Sequence, residues 1–173
     1  MGVLLLIIIL AMFYMAYIFT SDKFDYSKYT NKTIISKINK EWITLKDIET
    51  INVNQAKVIF YWSDDSELKY YCENQNRLLQ NKELKIKQSY CYIIVPSKTI
   101  NIKIKQASVV IIDLKNSINI DMEQAQMSIF ENKNPYTYNI QSEESKIIDL
   151  KSKKSNIQIK GKIFQSEIKK YEY

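Results

Sequence analysis

Two cysteines, Cys72 and Cys91, and two adjacent carboxylate pairs, Asp64-Asp65 and Glu143-Glu144, are the side chains of this sequence best equipped for chemistry. Two thiolates are too few to close a structural zinc centre, which takes four protein ligands. The chain has no histidine, so the usual general base and the commonest metal ligand are both missing. With two glycines in the whole sequence there is no Gly-rich loop to cradle a phosphate. Neighbouring residues on a strand point to opposite faces, so neither carboxylate pair reads as a glycosidase acid/base couple. No EF-hand or nonapeptide pattern accompanies the Asp-Asp turn to suggest calcium. The sequence therefore predicts no catalytic residue, no metal site, no cofactor and a non-enzymatic role. Cys72 and Cys91 leave two readings open, a disulfide in an oxidising compartment or ordinary buried thiols.

The elements that would position these residues are announced by a recurring six-residue pattern. Its copies read VNQAKV (Val53–Val58), IKQSYC (Ile86–Cys91), IKQASV (Ile104–Val109) and MEQAQM (Met122–Met127), followed by the looser SEESKI (Ser142–Ile147) and IFQSEI (Ile163–Ile168). The fourth residue is always Ala or Ser, and the third is Gln except in the fifth copy, where it is Glu144. With flanks included the form is apolar-x-apolar-x-x-small-x-apolar-x-apolar. Alternation by two marks a strand on each side, and the central step of three breaks strand parity, so a corner must restore the inward face. A small residue suits that corner because a large one would overfill the interior. Successive small residues are 33, 18, 18, 20 and 21 apart, which predicts one corner per rung of a stacked all-β architecture.

On this reading Gln55, Gln88, Gln106, Gln124 and Gln165 form a column of stacked amides. Nineteen residues, close to one rung, separate Cys72 from Cys91. The interval of 33 also holds a strand at Val58–Trp62, an acidic turn at Ser63–Ser66 and a returning strand at Leu68–Cys72, expected to form a hairpin. Asn74–Gln80 is expected to add a helical turn. Asp149 and Lys170 fall in apolar positions, as if the stack degraded toward the C-terminus.

Outside this domain, residues 2–20 (GVLLLIIILAMFYMAYIFT) carry no charge. At 1.5 Å per residue they span roughly 28 Å, about the hydrocarbon thickness of a bilayer. The run is long for a signal peptide and lacks a basic flank and an A-x-A site, so an uncleaved transmembrane helix is expected there, with a linker or cap at 21–40 and the β domain at 41–173. Lys23, Lys28 and Lys32 follow the helix and no Lys or Arg precedes it, which by the positive-inside rule would place the C-terminal side in the cytoplasm; long domains cross largely regardless of flanking charge, so charge alone leaves the orientation open. The formal net charge is +6, and Lys151–Tyr173 holds seven lysines against two glutamates. Such an excess reads as a solvated face or as attraction to anionic lipid or polysaccharide. No nucleic-acid recognition motif accompanies it.

Several elements together resemble a known family. They are Ile51-Asn52-Val53, the strand and acidic turn from Val58 to Ser66, Leu78-Leu79, Leu84-Lys85-Ile86, Ile93-Ile94-Val95-Pro96 and the repeated Ile-x-x-[Ala/Ser] units. Over about residues 42–173 this is similar to the auto-transporter adhesin head GIN domain family. The resemblance implies a right-handed parallel β-helix-like domain outside a membrane, a helical segment at Leu78-Leu79, and no catalytic residues.

The expected molecule is thus one transmembrane helix followed by a short parallel β-solenoid. Its expected role is a membrane-anchored scaffold or adhesin-like interaction module with the domain on the outer, extracytoplasmic face. Its partners would be the lipid bilayer and proteins of the same envelope. Two other roles fit the same features: a small accessory subunit of a larger membrane complex, and a lipid or glycolipid transfer component with an open β-fold.

Overall fold

The computed structural model describes residues 42–171, apart from 74–76, 131–133, 149 and 151–154. The chain divides into two units, Met1–Lys40 and Glu41–Tyr173, and only the second is described. The helix expected at 2–20 and the linker at 21–40 lie outside the described residues. Among the described residues no helix is long and apolar enough to cross a membrane.

The described fold is all-β. In chain order its strands are β1 (Ile43–Leu45), β2 (Thr50–Asn54), β3 (Lys57–Trp62), β4 (Leu68–Cys72), β5 (Arg77–Gln80), β6 (Glu83–Lys87), β7 (Tyr90–Val95) and β8 (Ile100–Lys105). They continue as β9 (Ser108–Ile112), β10 (Ile118–Glu123), β11 (Gln126–Phe130), β12 (Thr137–Glu143), β13 (Lys146–Ile148), β14 (Gln158–Phe164) and β15 (Glu167–Tyr171). Two mixed sheets result. One runs β1-β4-β7-β3-β9-β11-β15-β13 and the other β12-β14-β10-β8-β2-β6-β5. Each copy of the six-residue pattern bridges the two, with one strand in each sheet and two corner residues between. Period-2 alternation explains the burial: β8 and β10 begin with inward Ile and alternate with exposed Asn, Lys or Asp.

Between the sheets lies one core. Ile51, Val53, Val58, Phe60, Leu84, Ile86, Cys91, Ile111, Ile118 and Ile129 are fully buried in it. At about 25 cal/mol per Å² of apolar surface removed from water, each such side chain contributes roughly 1.5–3 kcal/mol.

The units do not lie in sequence order. Unit β2–β3 sits between β6–β7 and β8–β9, and unit β14–β15 sits between β10–β11 and β12–β13. A simple sequential winding is therefore not what the sheets show. Burial accounts for the second exchange. The last unit places Ile163 and Ile168 inside at 2% and 0% exposure. The fifth has Ser142 in the position of Ile163, and Ser142 is exposed. The more apolar unit takes the inner slot, so the degraded end of the stack is the fifth copy rather than the sixth. Lys170 is drawn inside with its unit and is buried, while Asp149 lies outside the described residues.

The N-terminal elements differ from expectation in two ways. β3 and β4 do not form a hairpin: β7 lies between them, parallel to β3 and antiparallel to β4. Leu78-Leu79 is not helical either. It lies in β5, antiparallel to β6 through Gln80↔Glu83. Asn81 and Lys82 join the two strands with φ of 49° and 62°. Two consecutive left-handed residues make the tight hairpin turn whose twist matches the strands.

Candidate interaction surface

Each corner is made by a residue in the left-handed region. Gln55, Gln88, Gln106, Gln124, Glu144 and Gln165 have φ between 46° and 50°. This conformation costs a non-glycine residue roughly 1–2 kcal/mol. Glycine would avoid the cost and forfeit the side chain, and the side chains are what the corners use. Gln88 donates its amide N–H to Gln55 (3.3 Å), Gln55 to Gln106 (3.3 Å), Gln106 to Gln124 (3.0 Å), Gln124 to Gln165 (3.1 Å) and Gln165 to the Glu144 carboxylate (2.7 Å). The order follows space, not sequence, and every bond points the same way. Each net bond is worth about 0.5–1.5 kcal/mol at most, and these are exposed, so the ladder offsets the corner strain without adding a large surplus.

The backbone follows the same direction. The Gln55, Gln106, Gln124 and Gln165 amides donate to Lys105, Glu123, Phe164 and Glu143 carbonyls at 2.9–3.1 Å. Behind the corners Ala56, Ser89, Ala125 and Ser166 are buried, and Ala107 and Ser145 are half-buried. The choice of Ser late in the chain has a use: the Ala125 amide donates to Ser166 Oγ and the Ser166 amide to Ser145 Oγ, at 3.0 and 3.1 Å.

A carboxylate accepts and cannot donate, so Glu fits only the acceptor end of a directed ladder. Glu144 stands there, beside the outer strands β12 and β13. The carboxylate pair Glu143-Glu144 thus belongs to the final corner. Asp64 and Asp65 part company, Asp64 pairing with Lys115 and Asp65 with Lys69, both at 3.0 Å. The hydrogen bond that Lys115 donates to Asp64 raises the Lys115 pKa, and burial raises that of nearby Tyr61. Among the described residues no group of His, Cys, Asp or Glu side chains could hold a metal ion.

Cys72 and Cys91 face each other across the antiparallel pair β4–β7. The Glu73 amide donates to the Tyr90 carbonyl at 3.0 Å, which makes Cys72–Cys91 a non-hydrogen-bonded pair, the closer kind in an antiparallel ladder. Their Cα atoms are 4.1 Å apart and the sulfurs are joined. The route to this contact is an antiparallel neighbour and not the stacking of parallel rungs.

Among the described residues the C-terminal tyrosines and lysines do not gather in one place. Tyr136 is buried, Tyr138 lies on β12 and Tyr171 on β15 in the opposite sheet, where it stacks on Phe130 at 4.9 Å. Tyr173 lies outside the described residues. Of the C-terminal lysines, Lys160 and Lys162 are exposed on β14, while Lys169 lies over the Tyr171 ring at 4.8 Å. The left-handed corners, the ladder's direction and the cap strand β5 are what reading the sequence missed. The recurrence of Gln beside the small residue, in five of the six copies with Glu144 in the other, was the available signal for the first two.

No family model and no curated protein sequence matches the chain, so the resemblance to the head GIN family finds no support. Among solved structures the chain is similar to a presumed cell adhesion protein from Clostridium sporogenes, at 11% identity and a TM-score of 0.35, over 77% of this chain and 98% of that one. A likeness at that score carries no argument about function.

Proposed function

We propose that this chain is a non-enzymatic interaction module, held to a membrane by residues 2–20 and presenting a short solenoid-like β domain on the extracytoplasmic face. The observation that carries the reading is the pair of parallel edges at β12 and β13, which end their sheets with no described strand beyond them. An unpaired parallel edge is a template for a strand from another chain. The joined cysteines support an oxidising compartment. Lipid transfer is the weaker reading, because facing side chains fill the space between the sheets where a transfer groove would need to be open.

Purification of the full chain in mild detergent tests this. Protein partners recovered in fixed ratio support the module in its accessory-subunit form. A lone protein whose domain is cleaved by protease added outside the cell supports the adhesin-like form. Stoichiometric lipid without protein would overturn both. Alkylation with a mass tag under non-reducing conditions tests the compartment: two reactive thiols would remove that support.

A further inference from the structure

The free end of the stack has a chemistry of its own. Glu144 accepts from Gln165 and keeps lone pairs that only a donor can use. Exposed Glu143 lies beside it. Along the strands, Tyr138, Ile140 and Ile147 pack against the core only in part. Their counterparts in inner units, Ile102, Ile120, Val109 and Ile168, are at 0–3% exposure. β12 reads TYNIQSE and holds neither Lys nor Pro, the residues that commonly blunt an edge, while β13 reads KII and carries one exposed lysine, Lys146, at its start.

We propose that this end binds a strand–corner–strand segment of a partner protein, added in parallel to both sheets, whose corner residue is an amide or cationic donor to Glu144. The proposal rests on the interaction-module reading and supplies the partner's chemistry. Apolar residues two apart on each strand would cover Ile140 and Ile147, and a small residue would follow the donor. Charge favours a cation at the corner, since two carboxylates face it. A second copy of this chain meets the requirement poorly. Its free end brings another Glu143 and Glu144, and its opposite end is covered by β5 and by β4 with β1.

The test uses the full chain in mild detergent and fluorescent peptides copying Ile100–Ile112, whose own corner is Gln106. Three peptides are compared by anisotropy: the natural one, Gln106→Lys and Gln106→Glu. The expected result is saturable binding, tightest for Lys and weakest for Glu, with about tenfold between them at low salt and less at high salt. In the chain, Glu144→Gln should erase the advantage of the Lys peptide. Ser142→Lys should abolish binding, because it sets a charge where an added apolar residue would lie. Ser142 is exposed, so this variant should fold. Equal affinity for all three peptides, or unchanged binding to Ser142→Lys, overturns the proposal. So does a self-dimer that Ser142→Lys dissociates while no peptide binds. A partner recovered in detergent together with absent peptide binding overturns this proposal alone and leaves the interaction-module reading standing.

Discussion

At one end of the sheets β6 and β7 are covered by β5 and by β4 with β1; at the other, β12 and β13 are covered by no described strand. The covering strands are antiparallel. An antiparallel strand can be added through a two-residue turn, whereas a parallel one needs a long crossover, so an antiparallel cap is the short way to finish a parallel sheet. The capped end is also fastened, by Cys72–Cys91 and by the Glu49–Lys82 ion pair at 2.6 Å. The free end is finished only in its side chains: Ser142 where the other units have an apolar residue, and Glu144 where they have Gln. Polar side chains suit such an end to water without pairing its backbone to any described strand, and on the reading proposed above they leave it able to receive one.

The largest expected effect comes from forcing the free end away from the rest. Gly161 in β14 pairs with Ile120 on one side and Ile140 on the other. Its φ is 147°, and a Cβ there would fall on the Ile120 carbonyl, a backbone atom that moves only if β10 and β14 part. Gly161→Ala should cost roughly 3 kcal/mol or more in denaturant unfolding. Hydrogen exchange should rise first in β12–β15 and leave β4–β7 protected. Uniform exchange across both ends would mean that the stack unfolds as one unit and that its ends do not differ in this respect.

Releasing the other end should cost somewhat less. Cys72 and Cys91 close a loop of sequence separation 19, worth about 3 kcal/mol in the chain-entropy account. Cys72→Ser with Cys91→Ser, or reductant on the native chain, should lower the unfolding midpoint and raise exchange in β1 and β4. The β12–β13 amides should not change. If reductant leaves the midpoint of the native chain where it was, the capped end owes its stability to packing alone.

How much of this contrast could be read beforehand follows from what alternation encodes. The inward residues of the six units, the small corner residue and the polar character of the fifth copy are local, and the sequence states them directly. The order of the units is not local. It depends on which unit tolerates water, and that is a competition between Ser142 and Ile163 for one inner slot. β7 comes between β3 and β4 for a related reason, since a strand can pair with whichever neighbour offers a matching apolar face. The Cys72–Cys91 spacing suggested proximity through a geometry the fold does not use. The left-handed corners were hidden because Gln carries no conformational signature of its own, unlike the Asn81-Lys82 turn, where Asn leans toward that region.

A smaller effect separates the interior of the ladder from its acceptor end. Gln106→Glu removes the donor to Gln124 and sets two acceptors against each other, a loss of about 1 kcal/mol. Glu144→Gln changes a residue with no described unit beyond it, and should stay within about 0.5 kcal/mol. Matched unfolding curves for the two variants measure the asymmetry. Equal losses would mean the ladder has no preferred direction.

The smallest effect lies in the ion pair at the capped end. The Lys82 ammonium, hydrogen-bonded to Glu49, holds that carboxyl below the ordinary carboxylate range, and Glu49 in turn raises Lys82. A lowered carboxylate stabilises the fold above its unfolded pKa, and the contribution is lost as pH falls through the folded value. A raised lysine stabilises it below its unfolded pKa and loses that as pH rises through the folded one. The pair should therefore act across the neutral range and fade at both extremes. Both side chains are exposed, so water and salt screen the attraction. The useful readout is the titration of Glu49 by NMR: Lys82→Ala should return its midpoint toward the ordinary value, and added salt should do part of the same. The backbone bond from the Glu49 amide to the Lys82 carbonyl, at 3.0 Å, does not depend on either charge. Global stability should barely move in the variant. A substantial loss would show that the β5–β6 turn is held by this charge pair and not by its backbone, making the capped end more dependent on pH than the free one.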